Sequence, residues 1–277
     1  MSLMPYQKIS KSFEVKFTKR GYYQILSAKM KTSDIFATVA LTTDVELGPY
    51  IHVYPAHSRY TDIVAPFSRI NGEALRNRFL FEDPFEFRGI RDYSGTDPMK
   101  KINWRASART GDLKVNNYYD TTSRHVTIFL DIVNDLIMRR DDQIEECIRI
   151  TRNYLEGFAL NKVPVHIVTN ARDIITGDII EFGTGLDTPF VNDCLCKLAR
   201  IDLEKPAERI YRFLEEDTAG DDDLSVLLSV DLTSRMAEAY GAYLGNNKGE
   251  WVAPISKSNE REFFSDKFNM TFLEVGR

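Results

Sequence analysis

The chain has 277 residues, 43% of them hydrophobic and 12% aromatic, which is enough apolar surface for one or two compact domains and too much for general disorder. A formal net charge of -5 excludes wholesale nucleic-acid binding, because domains that neutralise phosphates are distinctly basic. The longest apolar runs, such as Leu224 to Val230, fall well short of the roughly 20 residues that span a bilayer, and no signal-peptide hydrophobic region opens the chain, so the polypeptide as given reads as soluble.

From Ser12 to Pro55 apolar and polar residues alternate, as in Phe13, Val15 and Phe17, and again from Tyr50 to Tyr54, with Gly21 and Gly48-Pro49 as punctuation. This pattern predicts antiparallel β-structure. Ser58 to Glu86 has weaker periodicity and reads as a connector with a short helix near Glu73 to Arg78. Asp97 before Pro98 predicts the start of a helix and Gly111 its end, with Met99, Ile102 and Ala106 on one face. Three later runs, Val126 to Leu130, Val163 to Val168 and Leu224 to Val230, are almost continuously hydrophobic, as parallel strands buried on both faces are.

Between the first two runs, Ile144, Cys147, Ile148, Thr151, Leu155 and Phe158 follow helical spacing behind the acidic pair Asp141-Asp142. Two more helices follow the second run. One turns Val191, Cys194, Leu195 and Leu198 inward; the other begins at Pro206 and carries Ile210, Phe213 and Leu214. A hairpin at Ile174 to Phe182 interrupts the alternation, and Trp251 to Ile255 and Met270 to Val275 read as final strands. Helices alternating with buried strands predict a doubly wound, mostly parallel α/β sheet preceded by a small antiparallel β domain.

The densest chemistry lies between Phe87 and Val115. From Phe85 to Lys114 seven Lys/Arg stand against four Asp/Glu, a local excess of +3 in an acidic chain. Within it, Arg91-Asp92-Tyr93, Gly95, Asp97-Pro98, Ile102-Asn103-Trp104 and Ala106-Ser107-Ala108-Arg109 resemble the signature of a bacterial family, domain of unknown function 58. That signature is similar to R-x-Y-x-x-G-D-x-x-R-x-I-D-W-x-A-S-A-R. Asn103 stands where the pattern usually has aspartate, and Lys100 or Lys101 where it often has arginine. The chain thus divides into an antiparallel β domain over 4–66, a signature connector over 67–124 and an α/β domain over 125–277, and the resemblance implies that the last is von Willebrand factor type A-like. It also implies membrane helices ahead of the β region, a place at the cytoplasmic face of the inner membrane, and a MoxR-type AAA ATPase as partner.

The residues of the motif admit two readings. In one, Arg91, Asp92, Tyr93, Asp97, Trp104 and Arg109 form a buried hydrogen-bonded clasp that ties the β region to the sheet, with Ala106 and Ala108 permitting close backbone approach. In the other, Lys100, Lys101, Arg105 and Arg109 face outward to meet an acidic protein surface.

Ligands of open α/β sheets bind beyond the carboxyl ends of the strands, here Asp131, Thr169 and Asp231. Type A domains place a divalent cation on a D-x-S-x-S loop at the first of these ends, because Mg²⁺ requires near-octahedral oxygen. This chain has Asp131-Ile132-Val133-Asn134-Asp135 there, so Val133 removes one hydroxyl ligand. Mg²⁺ held by Asp131, Asp135 and Asp231 is then weak, and no cofactor is expected; alternatively Asp131 simply accepts hydrogen bonds from loop N–H groups. The three cysteines read as free thiols, the four histidines lack ligand spacing, and no nucleophile elbow, P-loop, HExxH or GxGxxG occurs. The expected function is a non-catalytic interaction scaffold, with a metal-dependent adhesion module and an unrecognised hydrolase as alternatives.

Overall fold

The computed structural model describes residues 8, 10, 12, 14–33, 38–80, 87–95, 97, 99, 102–118, 125–132, 140–205, 208–216, 223–256 and 268–275. The first described strands form a long two-stranded ribbon. β1 (Gly21–Gln24) pairs antiparallel with β4 (Tyr50–Val53), and β2 (Ser27–Ser33) with β3 (Ala40–Glu46). The register shifts by one residue between the two pairs, because Ile25 and Leu26 lie opposite Leu47, Gly48 and Pro49. A bulge of this kind twists the ribbon and redirects its outer half.

Every residue of β2 and β3 is exposed, so the antiparallel region is a projecting ribbon with no core of its own in its outer half. Its root is fixed by Arg20, whose side chain is only 5% exposed. Arg20 Nε donates to Glu145 Oε2 at 2.9 Å, and Nη1 donates to the carbonyls of Leu198 and Ile201 at 3.0 and 3.1 Å.

The weakly patterned connector is a 17-residue helix, α1 (Val64–Leu80), far longer than the single turn or two its sequence suggested. Pro66 falls in its first turn, where a missing N–H costs nothing. Ile63 and Ile70 are buried, while Phe67, Ala74 and Leu75 pack on the same core. Next comes a hairpin interrupted by a short helix: β5 (Phe87–Asp92), α2 (Trp104–Thr110) and β6 (Lys114–Tyr118).

The body is a six-stranded sheet. Its strands are β7 (Val126–Leu130), β8 (Val165–Thr169), β10 (Thr184–Gly185), β12 (Leu224–Leu228), β13 (Gly249–Ile255) and β14 (Phe268–Glu274), in the order β10-β8-β7-β12-β13-β14. All neighbours are parallel except the short edge strand β10. Where a hairpin was expected, a tight turn brings Arg172 into an antiparallel bridge with Ile179, and beside it β9 (Arg172–Asp173) pairs antiparallel with β11 (Ile201–Asp202).

The helices are α3 (Asp141–Leu160), α4 (Thr188–Ala199), α5 (Tyr211–Glu216) and α6 (Ser234–Leu244). Ile128, Val226 and Val252 belong to one buried cluster with residues of α3, α4 and α1. Phe129, Leu227 and Trp251, their neighbours in sequence, belong to a second cluster with α5 and α6. Alternate strand residues thus feed opposite layers, which is why these runs are hydrophobic throughout. Among the described residues no helix is long and apolar enough to cross a membrane.

Candidate functional site: the latched motif and the carboxyl ends of the strands

In the motif, β5 and β6 pair antiparallel with Arg91 opposite Val115, and Ile102 adds a bridge on the other side of Val115. Val115 and Ile102 are buried there. The helix expected to start at Asp97 starts at Trp104, because Asp97 is committed elsewhere. Its carboxylate receives both terminal nitrogens of Arg91 at 2.6 Å each and the Ser94 N–H at 2.9 Å.

Asn103 is the cap in its place. Its Oδ1 accepts from the Ala106 N–H at 2.9 Å, and its Nδ2 donates to Asn116 Oδ1 at 2.7 Å, which fastens the helix start to β6. Ser107 Oγ donates to the Asn103 carbonyl at 2.8 Å and accepts from the Lys114 N–H at 2.9 Å, a second stitch between helix and strand. Gly111 ends the helix at φ 82°, a left-handed conformation that favours glycine. Lys114 pairs with Asp92 across the strands.

The motif is therefore latched onto itself. Trp104, expected inside a clasp, is 63% exposed, because a seven-residue helix with one side on β6 leaves its first residue outside. Arg105, Arg109 and Gly95 are exposed and Tyr93 is half-buried. Met99, Ile90 and Leu113 are exposed apolar residues of the same motif. Lys100 and Lys101 lie outside the described residues.

At the carboxyl ends of the strands, Asp131 is fully buried after β7. Its Oδ1 accepts from Asn170 Nδ2 at 2.8 Å and its Oδ2 from Ser229 Oγ at 2.7 Å, so side chains from the ends of β8 and β12 supply the donors rather than loop N–H groups alone. Asn170 Oδ1 accepts from the Ile132 N–H at 2.8 Å, which fixes which way its amide points. Ser229 Oγ also accepts from the Asp231 N–H at 3.0 Å, and Trp251 Nε1 donates to the Ser229 carbonyl at 3.3 Å.

Asp231 is paired with Arg209 at 3.2 Å, and Arg140 donates to the Val230 carbonyl at 2.7 Å. Burial first, and then the nearby Asp131 charge, push the Cys147 thiol well above its ordinary pKa. Val133 and Asp135 lie outside the described residues, and among the described ones no three His, Cys, Asp or Glu side chains are grouped to hold a metal.

Asn170 and Ser229 were not singled out in the sequence; Ser229 stands two residues before Asp231, and that spacing at a strand end is the one signal available. An ion pair on a buried carboxylate was missed as well. Arg69 on α1 donates Nε and Nη2 to the two oxygens of Glu250 at 2.6 and 2.7 Å, and Asn269 Nδ2 donates to Oε1 at 2.8 Å, while the Glu250 side chain is 2% exposed. The carboxylate's hydrogen bond raises the Arg69 pKa.

These features define a doubly wound α/β protein whose sheet carries a latched hairpin–helix motif and a projecting ribbon. No family model matches the chain. It is similar to an uncharacterized protein, YeaD, of Bacillus subtilis (strain 168), with 21% identity over 155 residues. The match covers 56% of this chain and 37% of that protein, so the chain spans well under half the length of the curated relative. No solved structure matches.

Proposed function

We propose that the chain is a non-catalytic protein-interaction scaffold of the domain of unknown function 58 type, with a von Willebrand factor A-like body. In its intact form it is anchored at the cytoplasmic face of the inner membrane and works with a MoxR-type AAA ATPase. The observation that carries this reading is Trp104, 63% exposed on a motif that is otherwise tied down by its own hydrogen bonds. Trp and Arg dominate binding energy at protein interfaces, and Arg105 and Arg109 are exposed on the same short helix. The departure at Asn103 fits the signature, since Asn and Asp cap helices about equally well.

The metal-dependent alternative has less support. Both oxygens of Asp131 already receive donors, an amide N–H₂ points at one of them, and Asp231 is held by Arg209. A hard cation needs those lone pairs free, so these residues do not fit Mg²⁺. A hydrolase lacks an exposed nucleophile–base pair among these groups.

The test is capture of the ATPase. A Lys100→Glu, Lys101→Glu, Arg105→Glu variant and a separate Trp104→Ala variant should keep the wild-type melting midpoint yet lose capture at moderate salt, where exposed charge pairs are only partly screened. Unchanged capture by both folded variants would remove the motif as the docking surface.

A further inference from the structure

We infer that two copies of this chain associate through the outer half of the ribbon, by antiparallel pairing of β3 with β3 of the second copy about a two-fold axis. An isolated two-stranded ribbon is marginal in water, and a row of unpaired N–H and C=O groups invites another strand. Here all seven residues of β2 and all seven of β3 are exposed. One face is apolar: Ala28, Met30 and Thr32 lie opposite Val45, Thr43 and Leu41. Met30 and Leu41 are each 61% exposed and Val45 38%.

The charges decide which edge is open. The Leu47 N–H donates to the Leu26 carbonyl at 3.0 Å, which sets the alternation of the ladder. Ala28, Met30 and Thr32 therefore bond inward to β3, while Ser27, Lys29, Lys31 and Ser33 present their backbone groups outward. Two-fold pairing of β2 centred on Lys29, Met30 or Lys31, which gives the longest overlap, sets lysine against lysine: 29 against itself, 29 against 31, or 31 against itself. Lysines on a strand edge are the usual guard against such pairing.

On β3 the outward groups belong to Ala40, Thr42, Asp44 and Glu46. Pairing centred on Thr43 sets Asp44 against Thr42 and Glu46 against Ala40, with no like charges opposed, and brings Leu41 beside Val45 of the second copy. The result is a four-stranded sheet whose apolar face is continuous across the axis. An isologous contact of this kind closes on itself and stops at two copies.

Sedimentation equilibrium on the chain tests this, with circular dichroism to confirm folding. The wild type should form a dimer that dissociates on dilution. Thr42→Asp sets the added carboxylate against Asp44 of the second copy, twice per dimer, while it faces Lys31 within its own hairpin; it should weaken the dimer roughly tenfold. Thr42→Lys should tighten it at low salt. Thr43→Cys, at a non-hydrogen-bonded pair where Cα atoms approach within disulfide reach, should form a covalent dimer on mild oxidation that Thr42→Cys does not. A monomer at the highest soluble concentration overturns the inference. So does a dimer indifferent to Thr42→Asp, or assembly into open-ended higher oligomers, which would mean β2 pairing with β3 head to tail.

Discussion

Asn170 and Asp131 face each other at 2.8 Å across the ends of β8 and β7, with the amide nitrogen toward the carboxylate. This contact, together with Ser229 on the other oxygen, makes a buried charge tolerable at the point where the strand order reverses. Removing the donor should expose how much depends on it. Asn170→Ala should cost about 3 kcal/mol in urea unfolding, because it takes the donor from one oxygen of a buried carboxylate, and Asn170→Asp should cost more. Added Mg²⁺ should leave the wild-type midpoint unchanged, since a ligand stabilises only what it binds. Micromolar Mg²⁺ binding by calorimetry, lost in Asp131→Ala, would reinstate the adhesion-type reading.

Two bidentate arginine pairs should differ sharply in worth. Arg69→Ala leaves Glu250, whose side chain is 2% exposed, without its counter-ion, and should destabilise by about 3 to 5 kcal/mol. Arg91→Ala leaves Asp97, whose side chain is 11% exposed, with the Ser94 N–H still bonded to it, and should cost less, about 1 kcal/mol. Equal losses from the two variants in denaturant melts would show that burial does not govern these pairs.

At the motif, Trp104→Ala should leave stability within about 0.5 kcal/mol of wild type, as expected for an exposed side chain. Asn103→Ala should cost about 1 to 2 kcal/mol through the lost cap. Asn103→Asp should be much milder, because aspartate caps as well and the Asn116 amide can turn to donate to it. Urea titrations of the three variants give the ordering directly.

Burial also pushes the Cys194 thiol up, from 9.0 to about 12, and raises Tyr154 and Tyr240. The raised folded value means that the unfolded chain releases this proton first. Stability from this group is therefore fully present below about pH 9 and is lost as pH rises from about 9 toward 12. Thiol alkylation at pH 8 should modify the half-exposed Cys196 alone in the native protein and all three cysteines after denaturation. Native labelling of Cys147 or Cys194 would contradict their burial.

The sheet was largely legible in the sequence. Val126 to Leu130 and Leu224 to Leu228 are buried on both faces and hydrophobic at every position or nearly so, and they became parallel neighbours. Final strands were also read at Trp251 and Met270, although their parallel sense leaves no mark on composition. The connector was harder. Ile63, Phe67, Ile70 and Ala74 keep helical spacing, but Pro66 and Asn71-Gly72 masked it; Pro66 is harmless in the first turn of α1, whereas Asn71 and Gly72 sit in its interior and are carried by the packing of that apolar face. Asp97-Pro98 mimics a helix start, and nothing local reveals that Arg91 has claimed the carboxylate. The closure of Asp131 depends on Asn170 and Ser229, 39 and 98 residues away, which no window along the chain brings together.

Arg20 gives the ribbon a mechanical character. One guanidinium, nearly sealed from solvent, fastens the root of the ribbon to the side chain of α3 and to the backbone just where α4 ends. A load applied at the ribbon tip is delivered to the packed core through that guanidinium on one strand and through the Tyr54–Cys196 and Arg152–Pro55 contacts on the other. A tug strong enough to free Arg20 would strip Glu145 and the carbonyls of Leu198 and Ile201 of its donors together.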